Sequence, residues 1–468
     1  MKDMDQKNRM PYKLPKPIYC DPADLADGMP TMVQVEDFIR KHEAGLRRYR
    51  YLESLYEGFH DIFNQPDKAK WKPDWRLAVN FPRYITDTFS GYGYGIPVKI
   101  SHDDERVAEG IEQFERYNEF PDFFAEIVKM CCVYGHAWEY MYQDEDHQTC
   151  VTAVSPKEFF CVYDDTMKKR ALFAVYYGYH STGDRKGTKY GTVIARDTFR
   201  TFEGDAYGEE EVNEYHRINA VEWQLNSERM GIYEPVAGLI ELYDHTISEK
   251  SNDVDSFAEA ILAVLGADID ERDLEAMRDK RLVNLYGTEN VKDAVVQYLV
   301  KPSADGTQEN LLDRIERLIY QIAMVANISD EAFGSATSGA ALSYKLWATT
   351  NTVQRFNRKI EKSLRKTFKL WCSFSTNCPN ADAWKDIDFQ FAENIPRNTA
   401  EETATANAAE GLVSRRTQLG LLSYVADPDA EIERMKEEAE EREQAAAASL
   451  YGSAFEQVKK NGEEEADE

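Results

Sequence analysis

The feature that most restricts how this chain folds is a pair of amphipathic helices on either side of a short insert. Residues 245–265 carry one apolar stripe, and residues 308–327 carry a broader apolar face at helical spacing. The insert holds two apolar runs, 281–287 and 294–300, which predict a small strand pair. An insert of this length cannot bury a large core. We therefore expect the two helices to pack antiparallel and to carry the insert at their far end, where it contacts partners.

The segments around this pair predict a mixed α+β fold. Residues 33–63, 105–145 and 341–372 have helical periodicity. Residues 150–230 instead form β-rich runs separated by Gly, Asp and Ser, which predicts about five antiparallel strands.

Residues 91–95 read GYGYG and lie between a predicted helix and a predicted strand. A phosphate-binding loop requires the opposite order, with the loop leading into the N-terminus of a helix. We therefore favour a turn that ends the helix and packs Tyr92 and Tyr94.

The predicted helix at 341–371 is strongly basic, with eight Lys or Arg and one Glu. Five of these residues recur at i, i+4, i+7, i+11 and i+14 and so form one face: Arg355, Lys359, Lys362, Lys366 and Lys369. An apolar face lies beside it, made of Val353, Phe356, Ile360, Leu364, Phe368 and Trp371. The basic face contacts nucleic acid or an acidic neighbouring subunit, or it is a solvated face balanced by local acids.

The chain as a whole is acidic, with a net charge of −28 over 468 residues. Binding to nucleic acid over the whole surface is excluded, because phosphate binding needs a positive field. No apolar run is long enough to span a membrane, and the N-terminus lacks the apolar stretch of a signal peptide. The seven cysteines are scattered, which predicts free and mostly buried thiols.

Candidates for catalysis are few, and each has a simpler structural interpretation. Asp164 and Asp165 follow a predicted strand, but no third carboxylate or histidine stands at a useful spacing, so a solvated turn is favoured. Ser363 and Lys366 match SxxK by chance within a basic helix face. The histidines and cysteines have no zinc-binding spacing. We therefore expect no catalytic residues, no metal and no cofactor.

Residues 333–342, FGSATSGAAL, form the most unusual local sequence. Glycine permits a bent backbone, and the serine and alanine side chains present little bulk. The segment is either a mobile loop that lies close to another molecule or a plain interhelical linker.

From Asp427 onward the chain holds 15 acidic and 5 basic residues. This tail is an interaction segment or, as we favour, a solvated helix with a frayed end.

An ordered set of segments resembles the portal proteins of tailed bacteriophages, particularly of siphophages that infect Gram-positive hosts. The segments are NFPRYITDTFSGYGYGIPVKI (80–100), AVSPKEFFCVYDD (153–165), YDHTISEKSNDVDSFAEAILAVLGADI (243–269), LLDRIERLIYQIAMVANISDEAFGSATSGAALSYKL (311–346) and LVSRRTQLGLLSYVADPDAEIERM (412–435). The sequence after these segments matches no motif of the family.

The resemblance implies a ring, usually of twelve subunits, around a DNA channel at one capsid vertex. The implied segments are a wing (1–240), a stem helix (241–266), a clip (267–305), a second stem helix (306–327), a tunnel loop (328–340), a long wing helix with a return strand (341–395), and a crown with an acidic tail (396–468). The implied tunnel-loop residues near DNA are Gly334, Ser335, Thr337, Ser338 and Gly339. The implied docking residues of the clip are Arg281, Leu285, Tyr286 and Tyr298.

The same resemblance implies the partners and the location. They are further copies of the chain, double-stranded DNA, the large subunit of terminase, a head–tail connector, and the major capsid and scaffolding proteins, with no membrane. The protein would act in the virion and assemble in the host cytoplasm. Two other functions remain open at this stage, a different virion component such as a head–tail adaptor or minor capsid protein, and an intracellular enzyme that acts on nucleic acid.

Overall fold

The computed structural model describes residues 16–442, except 27, 70–71, 259–260, 266–294, 300–304, 329–338, 395–398, 423, 426 and 441. These residues form a mixed α+β fold with mainly antiparallel sheets, as the sequence predicts. They divide into two compact units. The larger unit holds the sheets and most of the helices, and the smaller holds the helices after residue 395 together with residues 339–343.

Among its described residues the larger unit contains eight long helices. They are α1 (Met32–Glu43), α2 (Leu46–Glu57), α3 (Phe81–Tyr94), α4 (Glu105–Tyr117), α5 (Phe120–Tyr134), α6 (Ala237–Ala258), α7 (Asp305–Ala323) and most of α8 (Gly339–Trp371). The predicted helix at 33–63 is therefore two helices, since the chain turns at Ala44 and Gly45. Residues 136–143, expected to be helical, form a strand instead, because Gly135 ends α5 in the left-handed conformation (φ +87°).

Four sheets accompany these helices. The strands are β1 (Ile18–Cys20), β2 (Lys99–Ser101), β3 (His136–Gln143), β4 (Thr149–Val154), β5 (Phe159–Asp164), β6 (Ala171–Tyr179), β7 (Lys189–Ile194), β8 (Thr198–Glu203), β9 (Ala206–Val212), β10 (Ala220–Gln224), β11 (Ile261–Leu265), β12 (Val295–Leu299) and β13 (Asp388–Gln390). The largest sheet has the order β1-β5-β6-β7-β8-β9, in which β1 alone runs parallel to its neighbour. The region predicted to hold about five strands thus holds seven.

The smaller sheets join distant parts of the chain. The order β10-β3-β4 forms a three-stranded antiparallel sheet, and β13 pairs with β2. The predicted helix over 241–266 is wrong at its end, because Ile261–Leu265 is a strand that pairs antiparallel with β12. The periodicity of a short aliphatic run does not distinguish a strand from a helix. Here the pairing with β12 determines that residues 261–265 form a strand. The run at 281–287, expected to pair with 294–300, lies outside the described residues.

The first four residues of GYGYG continue α3, which ends at Tyr94 with Gly95 as its C-cap, so the segment is helical where a turn was predicted. Tyr92 and Tyr94 are buried, as expected. A Cβ atom on Gly93 would lie 2.8 Å from a methyl group of Val353 on the long helix α8. Glycine in a helix interior costs about 1 kcal/mol relative to alanine. Here it permits two helices to approach closely, and their packing outweighs that cost.

The smaller unit contains α9 (Thr399–Ala408), α10 (Arg415–Leu419) and a helical stretch at 428–440. Ser414 caps α10, and the Gln418 amide donates to the carbonyl of Ala406 at 2.8 Å. A helical and polar C-terminal region is therefore confirmed as far as residue 440, and the residues from 443 onward lie outside the described part.

Candidate functional site: the helix pair and the long basic helix

The two helices that bracket the insert pack against the start of α3. The Phe81 ring makes edge-to-face contacts with Tyr243 of α6 and Tyr320 of α7, with ring centroids 5.0 and 5.8 Å apart. Lys250 of α6 forms an ion pair with Glu309 of α7. Aromatic contacts between three elements that are distant in sequence therefore hold the start of α6 and the end of α7 against the start of α3.

Residues 75–79 run along α6 and are hydrogen-bonded to side chains of α6 that lie one helical turn apart. Three buried polar residues of α6 accept hydrogen bonds from alternate backbone N–H groups of this segment: Asp244 from Val79 at 2.8 Å, Ser248 from Leu77 at 2.9 Å and Asn252 from Trp75 at 2.7 Å. Two residues of extended chain and one turn of helix advance by similar distances, so the two repeats match. We call these contacts the α6 ladder.

The outer faces of the pair carry exposed apolar side chains. Leu242 and Val254 of α6 are 46% and 62% exposed, and Leu311 and Ile322 of α7 are 42% and 45% exposed. Leu311 and Ile322 are separated by about three turns of helix and so lie on one face. The buried stripe of α7, with Leu312, Ile315 and Ile319, lies directly beside these two residues on the helix surface. The apolar face of α7 is thus only partly covered by the described residues.

The long helix α8 buries the apolar face that the sequence predicts. All six predicted residues are buried: Val353, Phe356, Ile360, Leu364, Phe368 and Trp371. Helix α3 packs on this face, and its Tyr94 hydroxyl donates to the Asn357 side chain at 2.8 Å. The helix is therefore part of the core of the larger unit rather than an isolated rod.

The five residues of the basic face have different surroundings although they share one side of the helix. Arg355 contacts the Met324 sulfur at 3.4 Å, Lys359 donates to the Ser227 hydroxyl at 2.9 Å, and the Lys369 ammonium lies 5.0 Å from the centre of the Trp384 ring. Lys362 and Lys366 line a cavity. In the part of the chain that the structure describes, none of the five forms an ion pair with a carboxylate. Among the described residues, local acids therefore form no direct pair with this face, although Glu222 attracts Lys366.

The remaining sequence-predicted residues fall mostly outside the described part. Residues 334–338 of the small-residue loop are not described, whereas Gly339 is the first residue of α8. Of the four residues expected in the insert, Tyr298 alone is described; it lies in β12 opposite Leu262 of β11.

The catalytic candidates adopt structural roles. The expected solvated turn begins only at the exposed Asp165, because Asp164 is buried and accepts a hydrogen bond from the Thr166 hydroxyl at 2.8 Å. The Ser363 hydroxyl donates to the carbonyl of Glu222 at 3.0 Å. Within the described residues no group of three or more metal-ligating side chains is found, and all seven cysteines are free and buried.

Sequence reasoning missed two buried ionic groups. Arg48 and Glu234 form an ion pair with no exposed side-chain surface. Glu222 accepts two hydrogen bonds from Arg229, at 2.6 and 2.9 Å, and lies 3.1 Å from His136 Nδ1. Burial opposes ionisation, but the hydrogen bond from His136 and the charge of Arg229 hold the pKa of Glu222 well below its usual range. Nothing local in the sequence marks these pairs, because the partners come from separate elements.

Comparison with known proteins decides the family. A family model described as "Phage portal protein, SPP1 Gp6-like" matches residues 36–445, which is most of the chain. This chain belongs to the phage portal proteins.

The portal family is also represented by a curated relative, the portal protein of Bacillus phage SPP1. It is 22% identical over 463 residues, and the match covers 89% of this chain and 87% of the relative. The predicted resemblance is thereby confirmed. The match to the family model ends at residue 445, so it includes the helical stretch at 428–440 but excludes the acidic segment at 463–468. Across the described helices of this portal protein, none combines the length and apolar content that crossing a bilayer requires.

Proposed function

We propose that this portal protein assembles into a ring of twelve subunits that surrounds a channel for double-stranded DNA at one capsid vertex. One observation carries the proposal: the helix pair α6–α7 leaves apolar side chains exposed on its outer faces. The described residues of one chain leave these side chains partly exposed, whereas a head-to-tail interface between neighbours covers them and closes into a ring.

The segments of the chain then take the roles that the family implies, with two boundaries corrected. Residues 1–240 and 339–395 form the wing, because the long helix starts at Gly339; α6 and α7 form the stem, 259–304 form the clip, 328–338 form the tunnel loop, and 396–468 form the crown and tail. The clip includes β11 because that strand pairs with β12 and is no longer part of the stem helix. Arg281, Leu285, Tyr286 and Tyr298 are the docking residues of the clip.

The acidic composition supports a channel through which DNA slides. Every phosphate contact adds affinity, so a channel lined by many cations would hold the DNA in place. A net charge of −28 favours a repulsive lining. The small side chains of Ser335, Thr337 and Ser338 contact DNA without a strong charge.

ATP hydrolysis for packaging belongs to the terminase, and this chain acts as a structural, non-enzymatic component of the virion.

The partners follow from the position at the vertex. The clip binds the large subunit of terminase during packaging and the head–tail connector afterwards. The wing contacts the major capsid and scaffolding proteins while the ring assembles in the host cytoplasm. The exposed cations of the long helix that do not line a cavity, such as Arg355, contact an acidic face of the neighbouring subunit.

Native mass spectrometry together with negative-stain images of the same sample tests the ring. Twelve copies of a 53.8 kDa chain have a mass of roughly 650 kDa. We expect a species near that mass and ring views with a central hole. A monomer or dimer at every protein and salt concentration would contradict the proposal.

A further inference from the structure

A cavity of about 500 Å³ lies in the larger unit between β1, β5, β10 and the long helix. Four cations line it: Lys169, Arg229, Lys362 and Lys366. Glu222 is the carboxylate in this lining. A cavity with this excess of positive charge is unexpected in a chain of net charge −28.

The carboxylate in the lining is already neutralised. Glu222 accepts both hydrogen bonds from Arg229 and contacts His136. In the part of the chain that the structure describes, none of the three lysines forms an ion pair with an acidic side chain. Desolvation and repulsion from Lys362, one turn away, lower the pKa of Lys366, and attraction to Glu222 opposes them. The three lysines therefore bring more positive charge to the cavity than one carboxylate, already paired with Arg229, can balance.

Two of the cations are held in an uncommon backbone conformation. Lys169 and Arg229 have φ angles of +46° and +56°, in the left-handed region that favours glycine. The Lys169 ammonium lies 5.7 Å from the centre of the Tyr19 ring, which also lines the cavity. Strained backbone of this kind persists where the surrounding structure holds a side chain in place, often at a binding site.

We propose that this cavity binds a short chain of phosphates, supplied either by free polyphosphate or by the triphosphate of a nucleotide. Lysine ammonium groups are point charges that suit phosphate oxygens from several directions. The volume falls in the range of small-molecule sites. A duplex presents its phosphates on a convex surface and does not enter such a cavity. An acidic peptide of equal charge occupies a larger volume than a phosphate chain.

This inference goes beyond the proposed ring and does not depend on it. The cavity is built within one chain, so binding is expected for a monomer and for a ring alike. If the nucleotide is the source, the exposed face of Tyr19 offers a stacking surface for its base.

Isothermal titration calorimetry with the full chain at low salt tests the site, because added salt screens the charges. The ligands are sodium tripolyphosphate, ATP and adenosine. We expect both phosphate ligands to bind and adenosine to fail. Lys362→Ala/Lys366→Ala should weaken binding about tenfold or more, since two charge-assisted contacts are lost. If the nucleotide is the ligand, Tyr19→Ala should weaken the binding of ATP but not that of tripolyphosphate. If free polyphosphate is the ligand, Tyr19→Ala should weaken the binding of neither compound.

The matched control is Arg358→Ala/Lys369→Ala, which removes two charges from the same helix outside the cavity. It should bind within about twofold of the unmodified chain, since it keeps every contact that the proposal invokes. Failure of both phosphate ligands to bind, or an equal loss in the control, would overturn the proposal. So would displacement of tripolyphosphate by an equimolar poly-glutamate peptide or duplex oligonucleotide, because the cavity would then prefer another class of anion.

Discussion

Glu139 of β3 accepts a hydrogen bond at 2.6 Å from the hydroxyl of Thr367 on the long helix, 228 residues away. The same carboxylate oxygen accepts from Trp223 Nε1 at 2.7 Å. The other oxygen has no hydrogen-bond partner among the described residues, and the side chain is completely buried. Burial raises the pKa of Glu139 from 4.5 to about 7.

This contact predicts a pH dependence with a definite sign. Below pH 4.5 the carboxyl is protonated in both the folded and unfolded chain. Between pH 4.5 and about 7 the unfolded chain loses the proton while the folded chain keeps it, so stability falls as pH rises, by at most about 3 kcal/mol. Glu139→Gln should flatten this dependence and stabilise the fold above pH 7. Urea unfolding from pH 5 to 8 measures the difference. Glu145→Gln, at an exposed position, is the control and should leave the slope unchanged.

The buried ion pair of Arg48 and Glu234 should respond asymmetrically to substitution. Arg48→Met leaves the Glu234 carboxylate buried without its partner, which costs roughly 3–5 kcal/mol. Arg48→Met/Glu234→Leu removes both charges and should recover part of that loss. Equilibrium unfolding in urea compares the variants. If the double variant is no more stable than the single, the desolvated charge is not the source of the cost.

The α6 ladder should control how easily residues 75–79 leave the helix. Ser248→Ala/Asn252→Ala removes two of the three side-chain acceptors, each worth about 1 kcal/mol. Local opening should therefore increase about tenfold or more, and trypsin should cleave after Arg76 correspondingly faster. Ser251→Ala is the matched control, since its hydroxyl bonds only within α6, to the carbonyl of Ile247. Equal cleavage rates in all three proteins would mean that the ladder does not hold the segment.

The apolar outer face of α7 should be required for assembly. Leu311→Glu/Ile322→Glu places two charges where the proposed neighbour packs, and burying an unpaired charge is costly. We expect the variant to remain folded by circular dichroism but to run as a small species in native mass spectrometry. Val33→Glu/Met167→Glu changes two other exposed apolar residues and should still form rings. Rings formed equally by both variants would place the interface elsewhere.

The proposed tunnel loop should matter for DNA and not for assembly. Deletion of residues 335–338 removes small side chains but none of the exposed apolar residues on α6 and α7. Rings should form as before, while packaging or retention of DNA in a complementation assay should fall. Normal packaging by rings that carry the deletion would argue against a DNA-contacting loop.

The local sequence pattern was sufficient to predict the long helices, in which buried residues recur at regular intervals along the chain. The helix expected over 341–372 is observed as Gly339–Trp371, and all six residues of its apolar face are buried. The helix expected over 308–327 is observed as Asp305–Ala323. Periodicity reports which side of an element is buried, and a long helix repeats that signal many times. The order of moderately specific segments was enough to recognise the portal family.

Tertiary structure alone decided what depends on partners distant in sequence. Strand β1 pairs with β5, and β11 pairs with β12 in place of extending a helix. Residues 91–94 of GYGYG remain helical, with Gly93 packed against Val353 of α8, and the cavity cations come from three separate regions of the chain. A residue's own neighbours determine its periodicity and its intrinsic preference. Which strand it pairs with, and which charge it meets when buried, depends on contacts that exist only once the whole chain has packed.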